Sequence, residues 1–159
     1  MTRLFPALLC AAALLATPVL ADENIHVIDP WIRAAPPVAQ IQAGYLTLHN
    51  AGGKEQSLVG ATSPLFAKIE LHETIQHDGQ SHMQARPSIA LPPGGQVALA
   101  PGGLHLMLIG PQRALPPMEK VSIVLQFADG STVPVSAEVR AATSGDKGSE
   151  AAHDHQHPH

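Results

Sequence analysis

One cysteine occurs in 159 residues, and it stands at position 10, close to the N-terminus. Beyond that point the chain can form no disulfide and no thiolate metal site, so any fold must be held by its own core. Aromatic residues are nearly as scarce: one Trp, one Tyr and three Phe. The core must then be built from Leu, Val and Ile. Charged residues make up only 14% of the chain, and thirteen acidic residues outweigh nine basic ones. No basic patch stands out, which argues against a nucleic-acid partner. A Ser-His-Asp set, a Cys-x-x-Cys pair and a carboxylate pair with clear geometry are all lacking, and an enzyme is not expected.

The N-terminus reads as an export signal. Arg3 supplies the positive start, an apolar stretch runs over residues 8–15, and Val19-Leu20-Ala21 is a small-residue cleavage site. The apolar run is too short and Ala-rich for a membrane span, and none is expected in the mature form. Cys10 follows Leu9 rather than a small residue and is not read as a lipid-attachment site. The expected organisation is a cleaved leader over 1–21, one domain over 22–140 and a tail over 141–159. The tail is small and polar, and it ends in His153, His155, His157 and His159 at alternate positions. It lacks the apolar content to fold and is expected to be disordered.

Between leader and tail the pattern is β throughout. Short or alternating apolar runs predict strands near 25–34, 44–50, 56–61, 67–76, 81–85, 96–100, 104–109, 120–127 and 132–140. Turn signals such as Asp78-Gly79, Pro92-Pro93-Gly94-Gly95, Pro101-Gly102-Gly103 and Asp129-Gly130 punctuate them. Strands of this number and spacing suggest a Greek-key sandwich or barrel.

The most informative residues are His72, Met83, His105 and Met107. Thioether sulfur with imidazole suits Cu(I), because soft donors select a soft ion. In Leu104-His105-Leu106-Met107-Leu108 the leucines alternate with the donors. A strand would send the leucines into the core and place His105 and Met107 on the other face, about 6.6 Å apart. A solvated polar face explains His105 alone, but not a methionine set among three leucines. Asp78-Gly79 is a strong two-residue hairpin signal. With those residues as the loop, Thr74 faces Met83 and Ile75 faces His82. His72 and Met83 then become diagonal neighbours, and His77 and His82 turn to the opposite face. A one-residue slip would reverse this choice. His49 is read as a strand-end polar residue, His26 as solvated, and Met118 as a loop residue. Trp31 and Tyr45 are read as core or barrel-rim aromatics.

The spacing His72, ten residues, Met83, twenty-one residues, His105-x-Met107 resembles the motif of the PCuAC family of periplasmic copper chaperones. The surroundings are similar too: Asp29-Pro30-Trp31-Ile32-Arg33-Ala34, Ala43-Gly44-Tyr45-Leu46-Thr47-Leu48, Glu70-Leu71-His72-Glu73 and Pro101-Gly102-Gly103-Leu104. The resemblance spans about residues 24–140. It implies a cupredoxin-like Greek-key fold, with one Cu(I) held by His72, Met83, His105 and Met107. It also implies a periplasmic role in handing copper to cytochrome c oxidase assembly, notably its copper-A centre. The partners would be a copper-accepting oxidase subunit or another copper chaperone, and the chain is expected to act as a monomer. Lacking a cysteine ligand, the mature chain could not build a blue-copper centre. His82, next to Met83, is a further imidazole near the set. The tail has different chemistry: its imidazoles favour Cu(II), Ni(II) or Zn(II). Scavenging of those ions by the tail, with the domain as scaffold, is therefore the alternative function.

Overall fold

The computed structural model describes residues 24–141. The expected leader and the His-rich segment after Ala141 lie outside the described residues. Ten strands are present: β1 (Ile25–Arg33), β2 (Ile41–Asn50), β3 (Gln56–Thr62), β4 (Phe66–His77), β5 (Gln80–Ala85), β6 (Ile89–Leu91), β7 (Gln96–Leu99), β8 (Leu104–Pro111), β9 (Lys120–Phe127) and β10 (Thr132–Arg140). The described residues contain no helix, and so none long and apolar enough to cross a membrane.

The strands follow the order β5-β4-β8-β2-β1-β10-β9-β3-β6, with β7 also on β2. An additional β3–β4 pairing, through Ala61 opposite Ile69, closes seven of them into a barrel. The all-β, cupredoxin-like class expected from the sequence is thus observed, in its barrel form. β5, β6 and β7 hang on that barrel as extra strands. β1 runs parallel to β10, and the other pairings are antiparallel.

Alternation decides which side chains fill the barrel. On β8, Leu106 and Leu108 are fully buried; on β9, Val121, Ile123 and Leu125 are inside; on β4, Ile69 and Leu71 point inward. Burying one such side chain stabilises the fold by roughly 1.5–3 kcal/mol. The interior holds Leu, Ile and Val with Phe66 and Phe127, as the composition requires. One buried polar side chain ties the loops to this core. Asn50 is fully buried and donates to the carbonyls of Lys54 (2.7 Å) and Leu91 (3.1 Å), while its carbonyl accepts from the Gly52 N–H at 2.9 Å.

Two features differ from the sequence reading. β6, a three-residue strand, was not expected; Pro87 before it and Pro92 after it read as loop. β1 carries a bulge between Ile28 and Trp31, where Asp29 adopts a positive φ of 49°. The extra residue returns Trp31 to the outer face, opposite Tyr45. These aromatics pack on the outer wall with centroids 4.6 Å apart and planes tilted by 40°, and Tyr45 is buried there without joining the interior cluster. Of the two placements expected, core or barrel rim, the core is not adopted: neither residue joins the interior cluster, although Tyr45 is buried.

Candidate metal centre

β4 lies between β5 and β8, and the three strands bring the four donors to one outer face. The β4–β8 register sets His72 directly opposite His105 and Glu70 opposite Met107. The β4–β5 register sets Thr74 opposite Met83 and Ile75 opposite His82. His72 is therefore the hub: His105 faces it, while Met107 and Met83 are its diagonal neighbours on either side. Diagonal positions are about 7–8 Å apart along the backbone, within reach of long side chains. The His72 and His105 ring centroids are 6.0 Å apart, with planes tilted by 40°.

The hairpin behaves as the Asp78-Gly79 signal requires. Both residues have positive φ, 50° and 75°, the backbone of a tight two-residue turn. Its register sends His77 and His82 to the other face of the sheet, and both are exposed. Met118 is a loop residue with positive φ and is exposed.

The donors form a gradient of exposure. His105 is buried, His72 keeps 12% of its side chain accessible, Met107 is half-buried, and Met83 is 68% exposed. The imidazoles sit in the wall and one thioether stands above it.

Each imidazole has one nitrogen committed and one left over. His105 Nδ1 lies 3.0 Å from the Gly103 carbonyl, which can only accept, so the proton is on Nδ1 and Nε2 keeps its lone pair. His72 Nε2 donates to a Glu70 carboxylate oxygen at 2.9 Å, leaving the lone pair on Nδ1. That Nδ1 is buried and has no hydrogen-bond partner. An orphaned buried polar atom costs about 1–3 kcal/mol, and an incoming ligand or ion would relieve it. Glu70 is held in its charged form, its pKa lowered by the ammonium of Lys68 and then by His72. It is the residue that sequence reasoning missed. Its signal was available: Glu70 is two positions before His72 and so shares its face.

Chemically, the face offers two imidazole lone pairs and two thioethers, all neutral. Among the described residues no group of three or more His, Cys, Asp or Glu side chains is placed to hold an ion. The donors that share the face with the two imidazoles are the thioethers of Met83 and Met107. Beyond Met107 the wall continues through Ala43 of β2 towards the Trp31–Tyr45 pair, over which Arg140 and Arg33 lie at 5.9 and 5.7 Å.

Comparison with known proteins gives consistent results. The putative lipoprotein Lxx21020 of Leifsonia xyli subsp. xyli (strain CTCB07) is 36% identical over 125 residues, covering 78% of this chain and 74% of that protein. The solution structure of CuI-DR1885 from Deinococcus radiodurans is 33% identical with a TM-score of 0.61, covering 76% of this chain and 80% of that one. The copper-bound PCuAC domain from PmoF2 superposes with a TM-score of 0.65 at 25% identity, covering 77% of this chain and 97% of the domain. The family model described as putative lipoprotein LpqE-like matches residues 25–139. That match takes in all ten strands except the last residue of β10, and the chain belongs to the LpqE-like family.

Proposed function

We propose that this protein is a periplasmic copper chaperone, binding one Cu(I) as cargo and passing it to an acceptor in cytochrome c oxidase assembly, at the copper-A centre. His72, Met83, His105 and Met107 are the ligands. The observation that carries the reading is the His72–His105 pair, in which His72 keeps a buried, partnerless Nδ1, with a methionine on each flank. The likeness to domains solved with copper supports it.

The donor set explains the choice of ion. Two imidazoles and two thioethers bring no charge, so they favour a soft monovalent ion over Zn(II) or Cu(II). The hydrogen bonds from His105 to the Gly103 carbonyl and from His72 to Glu70 fix both rings, the usual role of outer partners at a metal ligand. Release follows from the exposure gradient. Met83 stands out of the wall, so a partner's thiolate can replace it first, while the recessed imidazoles are displaced last. Glu70, the carboxylate hydrogen-bonded to a ligand on this face, orients the His72 ring, and we read the chain as a binding protein rather than an enzyme. Export through the leader and cleavage after Ala21 would place it in the periplasm as a monomer.

X-ray absorption on the protein loaded with one equivalent of Cu(I) tests the site. Two sulfur and two nitrogen scatterers are expected. Nitrogen-only coordination would overturn the reading and favour the His-rich tail as the main binding segment.

A further inference from the structure

The quartet is not the sole place where two histidines face each other across strands. His26 on β1 is directly opposite His49 on β2, with ring centroids 5.9 Å apart and planes 22° from parallel. The separation nearly reproduces the 6.0 Å between His72 and His105. Two imidazoles sharing an ion at about 2.0–2.1 Å bring their ring centres to roughly 4.5–5.5 Å, so the two rings would have to turn out of their stacked arrangement and approach slightly to aim one lone pair each at the same ion. Both backbones are held firmly. The flanking pairs Ile25–Asn50 and Val27–Leu48 point inward, and Ile25, Asn50 and Leu48 are buried, which fixes the histidines outward.

A third donor continues the row. Gln96 on β7 is opposite His49 on its other side and is exposed. The Asn50 N–H bonds the Gly95 carbonyl at 2.9 Å, anchoring β7 at this point. Row-mates on adjacent strands are about 4.8 Å apart and project to the same face. His26, His49 and Gln96 thus present two imidazoles and an amide oxygen side by side.

We propose that His26 and His49, with the Gln96 carboxamide oxygen, form a second metal site that takes a divalent transition ion of the Cu(II), Ni(II) or Zn(II) class. The two histidine pairs share a directly opposed register and nearly the same ring separation, and they differ in ring tilt and in their flanks. Thioethers beside His72–His105 make one set soft; among the described residues His26–His49 has no sulfur beside it, so its borderline imidazoles and a hard amide oxygen suit these divalent ions instead. The sites are separate. Ala43, opposite Met107, and His49 are six residues apart on β2, roughly 20 Å of strand. The proposal does not depend on what the quartet binds.

Zn(II) titrated into the isotope-labelled protein, followed by imidazole NMR, tests it residue by residue, so ions bound elsewhere do not confuse the result. The His26 and His49 ring signals should shift together along one saturating curve. In His49→Gln the His26 response should require about a hundredfold more Zn(II), the lower end of what a second tethered ligand adds. His26→Gln, read at His49, gives the reciprocal measurement, and an unchanged amide spectrum certifies each fold. Unmoved His26 and His49 signals while other histidines saturate, or a His26 response indifferent to His49→Gln, would overturn the site.

Discussion

Replacing Met83 by leucine removes a sulfur and little else. The side chain is 68% exposed on the outermost strand of the sheet and opposes only Thr74. Its contribution to stability is accordingly small, and Met83→Leu should shift unfolding free energy by no more than about 0.5 kcal/mol. Binding is another matter. Loss of an outer partner at a metal site weakens affinity by about 10–100-fold, so loss of a ligand itself should reach about 100-fold, near 2.7 kcal/mol. The internal control is one residue away. His82 opposes Ile75 on the other face, and His82→Leu should leave Cu(I) affinity unchanged although it deletes a metal-binding side chain. Anaerobic competition with a chromophoric Cu(I) chelator measures both variants, with a denaturant melt alongside. Equal losses in the two variants, or none in Met83→Leu, would refute the assignment of faces on which the proposed site depends.

Three further outcomes are expected. Glu70→Ala frees the His72 Nε2 proton, so nitrogen NMR should show the ring losing its fixed Nε2–H tautomer, with Cu(I) affinity lowered by about 10–100-fold; an unchanged tautomer would show that Glu70 does not orient the ring. Asn50→Ala strands the Leu91 carbonyl and the Gly52 N–H and should cost about 2–3 kcal/mol in urea unfolding, without altering Cu(I) binding at the His72–His105 face. For acid stability, hydrogen bonds lower the pKa values of Asp29 (from Arg140), Glu119 (from Arg113) and Asp129 (from Ser131, whose backbone N–H donates at 2.9 Å). Carboxylates with depressed folded-state pKa values stabilise the fold above their unfolded values and lose that contribution as pH falls through the folded ones. Thermal stability should therefore hold down to about pH 4 and decline below it, and the decline should shrink in Arg113→Gln and Arg140→Gln.

Much of the site was legible because its determinants are local. Leucines at 104, 106 and 108 around His105 and Met107 specify a two-faced strand, and Asp78-Gly79 fixes the partner of every residue in the β4–β5 hairpin. What was not legible is non-local. That His72 meets His105 depends on β4 pairing with β8, with β5, β6 and β7 lying between them in the chain. Nothing near either histidine encodes that register; the family spacing alone pointed to it. β6 escaped notice because prolines bracket three residues that pair only with β3. The outward placement of Trp31 depends on the bulge at Asp29, without which alternation would carry it inward. The leader, the tail histidines and the export they imply concern residues outside those described.

Closure of the barrel leaves β5 with a single neighbour, and all six of its residues are exposed. Strands held on one side, with little buried surface, open at a small fraction of the global unfolding free energy. His72, His105 and Met107 belong to strands paired on both sides, whereas Met83 rides on the one that frays first. On the proposed reading, the off-rate of the cargo is then coupled to the lifetime of a hairpin. Its tuning element is not a ligand but the turn: a residue at position 79 that tolerates a φ of 75° less well than glycine would shorten the residence time of copper while leaving the barrel intact.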